Sequence, residues 1–545
     1  MLPSTSSQVL FENPSEACGL HTITPCCAID VQGLYIELGA SQCPHRDREN
    51  ALRTLEDLYD VVNTHREVLA GSESLQTGIP ISKTQHALQN TLEYVRCAIA
   101  HLSGTDDKGR PSDDVVPHGE REVAAVFRND VQQLSEALRQ QNYIRFSAAS
   151  GSLADANRHA MEKCPLIAAC LSPGLFSISC GIQAAAVALA CGFPHAVWFP
   201  APEVSFSALW LIAMLRKALV GQKWESAPSH ELAGELSQGV DSLRFHIMIV
   251  SEPIESISTA SQCLLIETSP PRAPAALVPI TYGYTPGSVA ELSGRLRGAV
   301  AVRRPAEEGV GRSPPDDPPP LTLSIPTLQL STPNVVVVMP TTASEGLFTH
   351  ALAAPSGPRT ATPLRAPLAF APAPALPRLF RGLLRDAPLR VGHSLDPSLR
   401  DVGGPLSSAA HVAVVKAVLQ EAVGGGGTPS FPPWAQVGGG FDLPLTTTRA
   451  GGYYFVPGVL CAPTRISLRR DPLAAATDPI KEVRAQVRAV CHTVATLIDP
   501  LERRFGGTYG GVCFMCAYDT EVSNSIVECV TTVAEEMGWG VLTIQ

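Results

Sequence analysis

The sequence predicts an α/β fold, and the stretch from Cys164 to Lys217 carries most of that prediction. Glu203 is the only charged residue between Lys163 and Arg216, so this long segment must be buried. Proline and glycine divide it into pieces of strand and helix length, and no piece is an unbroken apolar stretch of about twenty residues. The pattern therefore favours strands and helices inside a protein core over a membrane span.

Four elements follow one another within this stretch. Residues 166–171 predict a short buried strand, 179–191 a helix of small residues, and 196–199 a second strand. Pro202 opens a bulkier helix, 202–219, because proline suits the first turn of a helix. Both helices are nearly all apolar, which indicates that each is covered on two sides.

Length and composition allow a large core. The chain has 545 residues, of which 45% are hydrophobic, and a net charge of −10 without a long basic run, so neither a nucleic-acid partner nor a membrane surface is expected. Fifteen cysteines lie mostly in apolar segments, which is typical of free thiols in an intracellular, reducing compartment such as the cytoplasm or an organelle matrix. No ligand spacing typical of a metal site and no phosphate-binding glycine loop is present, so no cofactor is predicted.

The N-terminal region, residues 1–119, predicts a strand pair at about 29–38 followed by a helical hairpin. Apolar residues recur at three- and four-residue steps in two segments, and these stripes can pack on each other or on the core. The first segment contains Leu52, Leu55, Leu58, Tyr59 and Val62, and the second contains Leu88, Leu92, Val95, Ile99 and Leu102. A third helix is predicted at about 120–141.

The central elements resemble the β-ketoacyl synthases, which are condensing enzymes with the thiolase-like fold. In that family an S-P-x-x-F loop leads into a small-residue helix, and a strand then enters the turn that carries the nucleophile. Here residues 172–176 read SPGLF and residues 194–199 read PHAVWF. Residues 146–151, FSAASG, are similar to the family's Ser-x-x-Gly turn, and the resemblance covers about 143–270.

The resemblance implies a layered αβαβα sandwich of two pseudo-repeated halves. The first half would span 120–302 and the second 321–545, with a Pro-rich linker at 303–320 between them. Pro/Gly-rich insertions and the N-terminal helical hairpin would elaborate this sandwich. The family's closing glycine turn has two matches, near Gly451 and near Gly506, and the sequence does not decide between them.

The resemblance also implies a catalytic cysteine, two histidines and a lysine, and three of these four groups are replaced. The positions of the cysteine, the first histidine and the lysine fall at Pro202, Pro340 and Pro388. His393 matches the second histidine. Proline offers neither a side-chain nucleophile nor a backbone N–H, so the family's chemistry is not expected at these positions.

The sequence therefore predicts a catalytically degenerate β-ketoacyl synthase-like protein that acts as a structural or interaction subunit, with acyl or acyl-carrier binding as a retained property. The alternative is an active 3-oxoacyl condensing or acyl-transfer enzyme with relocated groups, in which Cys180 at a helix N-terminus acts with His393. A membrane-associated protein whose central segment inserts is a third interpretation. The expected partners are a second copy or a synthase-like chain, paired across the strand at 196–199, and an acyl carrier protein.

Overall fold

The computed structural model describes a set of segments that together cover most of the predicted helices and strands. These are residues 9–13, 16, 18–23, 47–104, 118–140, 166–172, 176–200, 205–220, 244–249, 276–282, 327–328, 333–338, 368–386, 392–396, 406–425, 432–442, 452–456, 458–468, 478–505, 512–537 and 539–544.

The N-terminal part consists of a strand pair and three helices. Strands β1 (Val9–Asn13) and β2 (Cys18–Ile23) pair antiparallel, and the helices are α1 (Asp47–Thr77), α2 (Ile81–Ser103) and α3 (His118–Gln140). The apolar stripes predicted for the first two helices are largely buried between them and the core. The helical hairpin predicted from the periodicity is therefore confirmed.

Five parallel strands form the first sheet, with two helices among their connections. In chain order the elements are β3 (Leu166–Leu171), α4 (Ser177–Ala190), β4 (His195–Phe199), α5 (Ser205–Val220), β5 (Phe245–Ile247), β6 (Ala276–Tyr282) and β7 (Thr327–Leu328). Their order across the sheet is β5-β4-β3-β6-β7, and every described pair is parallel. The chain thus moves outward from β3 to one edge and then returns to the other side of β3, which creates a switch point between β3 and β6.

Helix α4 is buried along its whole length because it is covered on two sides. It packs on the strands of the first sheet and beneath α2, while α1 packs on α5. This arrangement confirms that α4 is enclosed by protein, whereas Leu209 of α5 is 38% exposed, so the prediction that both apolar helices are covered on two sides is wrong for α5. Among the described residues, no helix combines the length and the apolar character that a membrane span requires.

The C-terminal half contains a second, six-stranded sheet. Its strands and the adjoining strand pair are β8 (Pro333–Val338), β9 (Leu368–Pro372), β10 (Ala435–Gly438), β11 (Phe441–Asp442), β12 (Phe455–Val456), β13 (Gly458–Cys461), β14 (Val512–Tyr518) and β15 (Gly540–Ile544). The helices are α6 (Leu376–Asp386), α7 (Ala409–Gly424), α8 (Pro479–Phe505) and α9 (Ser523–Glu536). The sheet order is β10-β13-β14-β9-β8-β15, and one apolar core lies between this sheet and α7, α8 and α9. A second, smaller core contains residues of α6 together with residues of β9, β13 and β14 that are not part of the larger core.

The predicted sandwich of two pseudo-repeated halves is wrong. Numbered along the chain, the first sheet has the order third, second, first, fourth, fifth, whereas the second sheet has the order third, fourth, fifth, second, first, sixth. Duplicated halves would share one strand order, so the two sheets are not copies of one unit. The sequence pattern identified strands and helices but not the way in which they assemble.

The position of β4 also removes the argument for pairing at residues 196–199. β4 pairs with β3 on one side and with β5 on the other, so it is an interior strand. A partner cannot extend the sheet at this strand, because its backbone groups are already bonded. Self-association stays a prediction, and it no longer has this edge as its basis.

Candidate functional site

The switch point of the first sheet is the natural place to look for a ligand site. Ligands of open parallel sheets bind in the crevice outside the carboxyl ends of the strands, where the strand order reverses. Ser172 follows β3 directly at this point, and Phe176 and Ser177 lead into α4, and all three are buried. Phe176 has left-handed backbone angles, φ 54° and ψ 32°, and it is the only non-glycine residue with positive φ in the described part of the chain. A side chain held in this conformation costs about 1 kcal/mol, which is a common feature of functional turns.

A hydroxyl pair ties this turn to β4. The indole Nε1 of Trp198 donates to Ser172 Oγ over 2.8 Å, and Ser172 Oγ shares a 2.6 Å hydrogen bond with Ser177 Oγ. The indole ring also lies directly against α4, because a Cβ added at Gly181 would stand 2.1 Å from Trp198 Cε2. Glycine is therefore required at this position for helix and strand to approach so closely.

The most unusual group at the site is the carboxyl of Glu73, which comes from α1. The Glu73 side chain is fully buried, and its Oε1 accepts a hydrogen bond from the backbone N–H of Ile178 over 3.1 Å. Burial raises the pKa of Glu73 to about 7, although the backbone N–H groups of Ile178 and Ser177 lower it. A carboxyl group from a distant helix thus occupies the N-terminus of α4, where the peptide N–H groups attract negative charge.

The end of α1 is fixed in place by further polar contacts. Ser72 Oγ shares a 2.8 Å hydrogen bond with Ser207 Oγ at the start of α5, and Ser74 Oγ shares one of 2.8 Å with Thr84 Oγ1 on α2. The carboxyl of Glu73 lies between these two anchors along the chain. Consecutive residues of α1 therefore reach the first turns of both α4 and α5, beside the carboxyl edge of the sheet.

The carboxyl group of Glu73 occupies the N-terminus of α4, where a dinucleotide would be expected to bind. In dinucleotide-binding sheets of this strand order, the pyrophosphate lies at the N-terminus of the helix that follows the first strand. Here that helix is α4, and its leading N–H groups are already bonded to a carboxyl group. The residues at the N-terminus of α4 therefore do not fit a pyrophosphate.

A second buried polar cluster lies at the opposite end of the sheet, where β4 and β5 begin. Arg244 Nη1 donates to His195 Nε2 over 2.9 Å, and His195 Nδ1 lies 3.2 Å from His246 Nε2. Burial, with smaller contributions from His246 and Arg244, lowers the pKa of His195 to about 2. Nε2 of the neutral His195 ring accepts a hydrogen bond from Arg244, so Nδ1 carries the ring proton. Nδ1 therefore donates a hydrogen bond to Nε2 of His246. The cluster lies away from the switch point and joins the amino ends of two strands.

The structure places the two predicted remnants in different surroundings. Cys180 is fully buried in the first turns of α4, where burial and the neighbouring Glu73 raise the pKa of its thiol. His393 is about one-third exposed, accepts a hydrogen bond from the backbone N–H of Leu395, and has Nε2 3.9 Å from Glu16 Oε1. Among the described residues, no hydrogen bond joins Cys180 to His393.

The remaining predicted positions lie outside the described residues. These are Pro202, Pro340 and Pro388, and both candidates for the closing turn, Gly451 and Gly506.

Sequence reasoning missed Glu73, although one signal was present. Leu55, Leu58, Val62 and Leu69 follow the buried stripe of α1, and Glu73 continues the same spacing four residues after Leu69. An acidic residue on an apolar helix stripe indicates a buried, compensated carboxyl group. The group that compensates it, at a residue more than a hundred positions away, is not visible in the sequence pattern.

Comparisons with known proteins give the chain a different fold from the one that the sequence suggested. No family model and no curated protein matches the sequence. Among solved structures, a mutant of aldehyde dehydrogenase C from Pseudomonas syringae in complex with NAD+ and octanal is similar with a TM-score of 0.55 and 15% identity, over 100% of this chain and 86% of that chain. Apo betaine aldehyde dehydrogenase from Staphylococcus aureus, carrying a glycine-to-serine mutation, is similar with a TM-score of 0.56 and 11% identity, over 99% and 85% of the two chains. The NAD+ complex of the Staphylococcus aureus enzyme is similar with a TM-score of 0.54 and 11% identity, over 99% of this chain and 84% of that chain.

These similarities correct the resemblance to β-ketoacyl synthases and what it implied. The similar structures are aldehyde dehydrogenases over nearly the whole chain, so the thiolase-like prediction is wrong. The predicted degenerate synthase subunit and the alternative condensing or acyl-transfer enzyme are wrong for the same reason, since both rested on that fold. The chain has the fold of the aldehyde dehydrogenases.

Proposed function

We propose that the chain is an aldehyde dehydrogenase-like oxidoreductase that uses a nicotinamide dinucleotide. The observation that carries this proposal is the parallel five-stranded sheet with its switch point between β3 and β6, in a chain that is similar over 99–100% of its length to aldehyde dehydrogenases. Two of those structures contain NAD+. A sheet of this strand order is a common dinucleotide-binding scaffold.

The filled N-terminus of α4 limits where a dinucleotide could lie. Because Glu73 takes the first N–H groups of that helix, the cofactor would use the β4 and β5 side of the carboxyl edge, beyond Phe199 and Ile249. The residues at this end of the two strands, Trp198, Phe199, Met248 and Ile249, are apolar and buried, and burial by such side chains suits the flat faces of the cofactor rings.

Five buried cysteines do not provide an activated thiol. Burial raises the pKa of the thiols of Cys170, Cys180, Cys191, Cys491 and Cys516. A thiol with a raised pKa is a weak nucleophile at neutral pH, since the thiolate is the reactive form. If the reaction uses a thiol, we therefore expect it to be a cysteine other than these five.

The proposal is tested by binding and turnover with the full-length protein. Isothermal titration calorimetry with NAD+ and NADP+ measures binding, and the absorbance of the reduced nicotinamide measures oxidation of octanal and betaine aldehyde. We expect binding of one dinucleotide with a Kd in the micromolar to millimolar range, and turnover on the order of 1 s⁻¹ with at least one aldehyde. Absence of binding would contradict the cofactor, and binding without turnover of any aldehyde would contradict the oxidoreductase activity.

A matched pair of serine variants locates the site. Ser172→Ala removes the acceptor of the Trp198 indole at the switch point, so we expect a lower kcat/KM with the aldehyde that is turned over. Ser103→Ala removes an exposed hydroxyl that bonds only within α2, so we expect no change in kcat/KM. Equal kcat/KM in both variants would place the active site away from the switch point.

A further inference from the structure

The N-terminus of α4 has the properties of an anion site, and its occupant is part of the same chain. The helix is fourteen residues long, and its N-cap residue, Phe176, provides no side-chain hydrogen bond. Glu73 Oε1 accepts from Ile178 N over 3.1 Å, and the backbone N–H of Ser177 also lowers the pKa of this carboxyl group. A carboxylate at a helix N-terminus is stabilised both by these N–H groups and by the helix dipole.

Two buried polar atoms in this region have no hydrogen-bond partner. These are the second carboxyl oxygen of Glu73, Oε2, and the hydroxyl oxygen of Ser179 in the first turn of α4. Both residues are completely buried. A buried polar atom without a partner is costly, so the region is polar and incompletely satisfied even with Glu73 in place.

We propose that the N-terminus of α4 is an anion-binding site that the chain's own Glu73 keeps occupied, and that it binds a small free carboxylate once that side chain is shortened. The ligand class follows from size and chemistry. Glu73→Ala removes a CH₂–COO⁻ group, and acetate has nearly the same volume and the same charged end. Formate, with one carbon less, also fits this space.

The proposal is independent of the oxidoreductase activity. It concerns the helix end that the dinucleotide does not fit, and its readout is thermal stability rather than catalysis. Failure of one proposal therefore leaves the other untouched.

The experiment compares three full-length proteins: wild type, Glu73→Ala and Glu73→Gln. Their Tm values are measured at about pH 8, where free acetate and formate are ionised. Each is measured with sodium acetate, with sodium formate and with sodium chloride at equal ionic strength. The glutamine variant is the matched control, because its amide keeps the volume of the side chain and one carbonyl acceptor but has no charge.

We expect Glu73→Ala to lower Tm by about 4 °C or more in chloride, because the buried N–H of Ile178 loses its acceptor. At about 100 mM acetate or formate, we expect that variant to recover at least half of the loss, since a ligand that binds only the folded state stabilises it. The Tm of wild type should be the same in acetate as in chloride, and so should the Tm of Glu73→Gln. A Glu73→Ala variant that responds to acetate no more than wild type does would overturn the proposal.

If Glu73→Ala does not accumulate as folded protein, a refolding experiment tests acetate binding instead. The variant is then unfolded in urea and diluted into acetate or into chloride, and the folded yield is compared. A yield that is several-fold higher in acetate supports the proposal, and equal yields in the two salts contradict it.

Discussion

Glu73 shows how a buried acidic residue can be accommodated without a cationic partner at its carboxyl group. Its carboxyl group is removed from water, and its pKa depends on burial and on the backbone N–H groups of Ile178 and Ser177. Burial disfavours the charged form, whereas the N–H groups favour it, and burial has the larger effect. The group therefore titrates close to neutral pH, with the Cys180 thiol as a titratable neighbour.

The raised pKa of Glu73 predicts a pH dependence of stability. The folded-state pKa of about 7 lies above the ordinary value of 4.5, so the protonated side chain contributes stability that is complete below pH 4.5 and is lost as the pH rises through 7. We expect the unfolding free energy of wild type, relative to Glu73→Gln, to fall by about 1 kcal/mol per pH unit between about pH 5 and pH 7 and to level off above that. Urea unfolding of both proteins measures this difference. A difference that does not vary with pH would show that Glu73 keeps an ordinary pKa.

Burial also predicts the reactivity of Cys180. Its thiol is inaccessible and has a raised pKa, so we expect iodoacetamide to modify it only as fast as the protein unfolds. Cys97 on α2 is partly exposed and provides an internal comparison in the same sample. Peptide mapping over time measures both rates. Modification of Cys180 as fast as Cys97 under native conditions would contradict the buried position of the first turn of α4.

At the scale of elements, the contact between α4 and β4 depends on one glycine. A Cβ at Gly181 would overlap the Trp198 indole, so we expect Gly181→Ala to destabilise the fold by about 3 kcal/mol. Gly71→Ala in α1 is the matched control, because its Cβ would meet only Ile81 Cδ1, at 3.9 Å. We expect that variant to be more stable by about 0.5–1 kcal/mol, since alanine favours the helix. Urea unfolding measures both changes, and a neutral Gly181→Ala would mean that the ring moves aside at little cost.

Elements with strong periodicity could be predicted from the sequence, and elements in biased composition could not. The strand at 166–171 has the predicted bounds, and the helix predicted at 179–191 begins two residues earlier and ends one residue earlier. β9 and α6 were missed, because both begin within residues 353–377, an Ala/Pro-rich stretch whose composition predicts irregular structure. β1 and β2 were missed as well, because their apolar pattern is short and weak; the strand pair predicted at 29–38 lies outside the described residues.

The way in which these elements assemble could not be predicted from the sequence, because the same local pattern fits several folds. A small-residue helix between two buried strands is required wherever a helix lies closely against a parallel sheet. Gly181 against Trp198 is one such contact, and it would be equally suitable in several α/β folds. The same pattern therefore suggested a thiolase-like core and is found here in an aldehyde dehydrogenase fold. Strand order depends on pairings such as β3 with β6, between residues that are distant in the sequence.

At the scale of the molecule, the apolar interior is divided into separate cores. One contains α1 to α5 with the five-stranded sheet, and another contains α7, α8 and α9 with the six-stranded sheet. Separate cores often unfold as separate cooperative units. We expect differential scanning calorimetry to show two transitions, of which Gly181→Ala lowers only one, by about 5–10 °C. A single transition that shifts as a whole would show that the two cores unfold together.

The edge of the six-stranded sheet has a consequence for shortened forms of the protein. β15 (Gly540–Ile544) is the last element in the described part of the chain, and it pairs in parallel with β8, which contains four consecutive valines, Val335 to Val338. Loss of only the final residues, for example by a premature stop codon, would uncover an uncharged, β-branched strand with free backbone groups. Such a strand would recruit the same strand of another molecule. A small C-terminal deletion would thus be expected to cause insolubility in cells rather than a simple loss of stability.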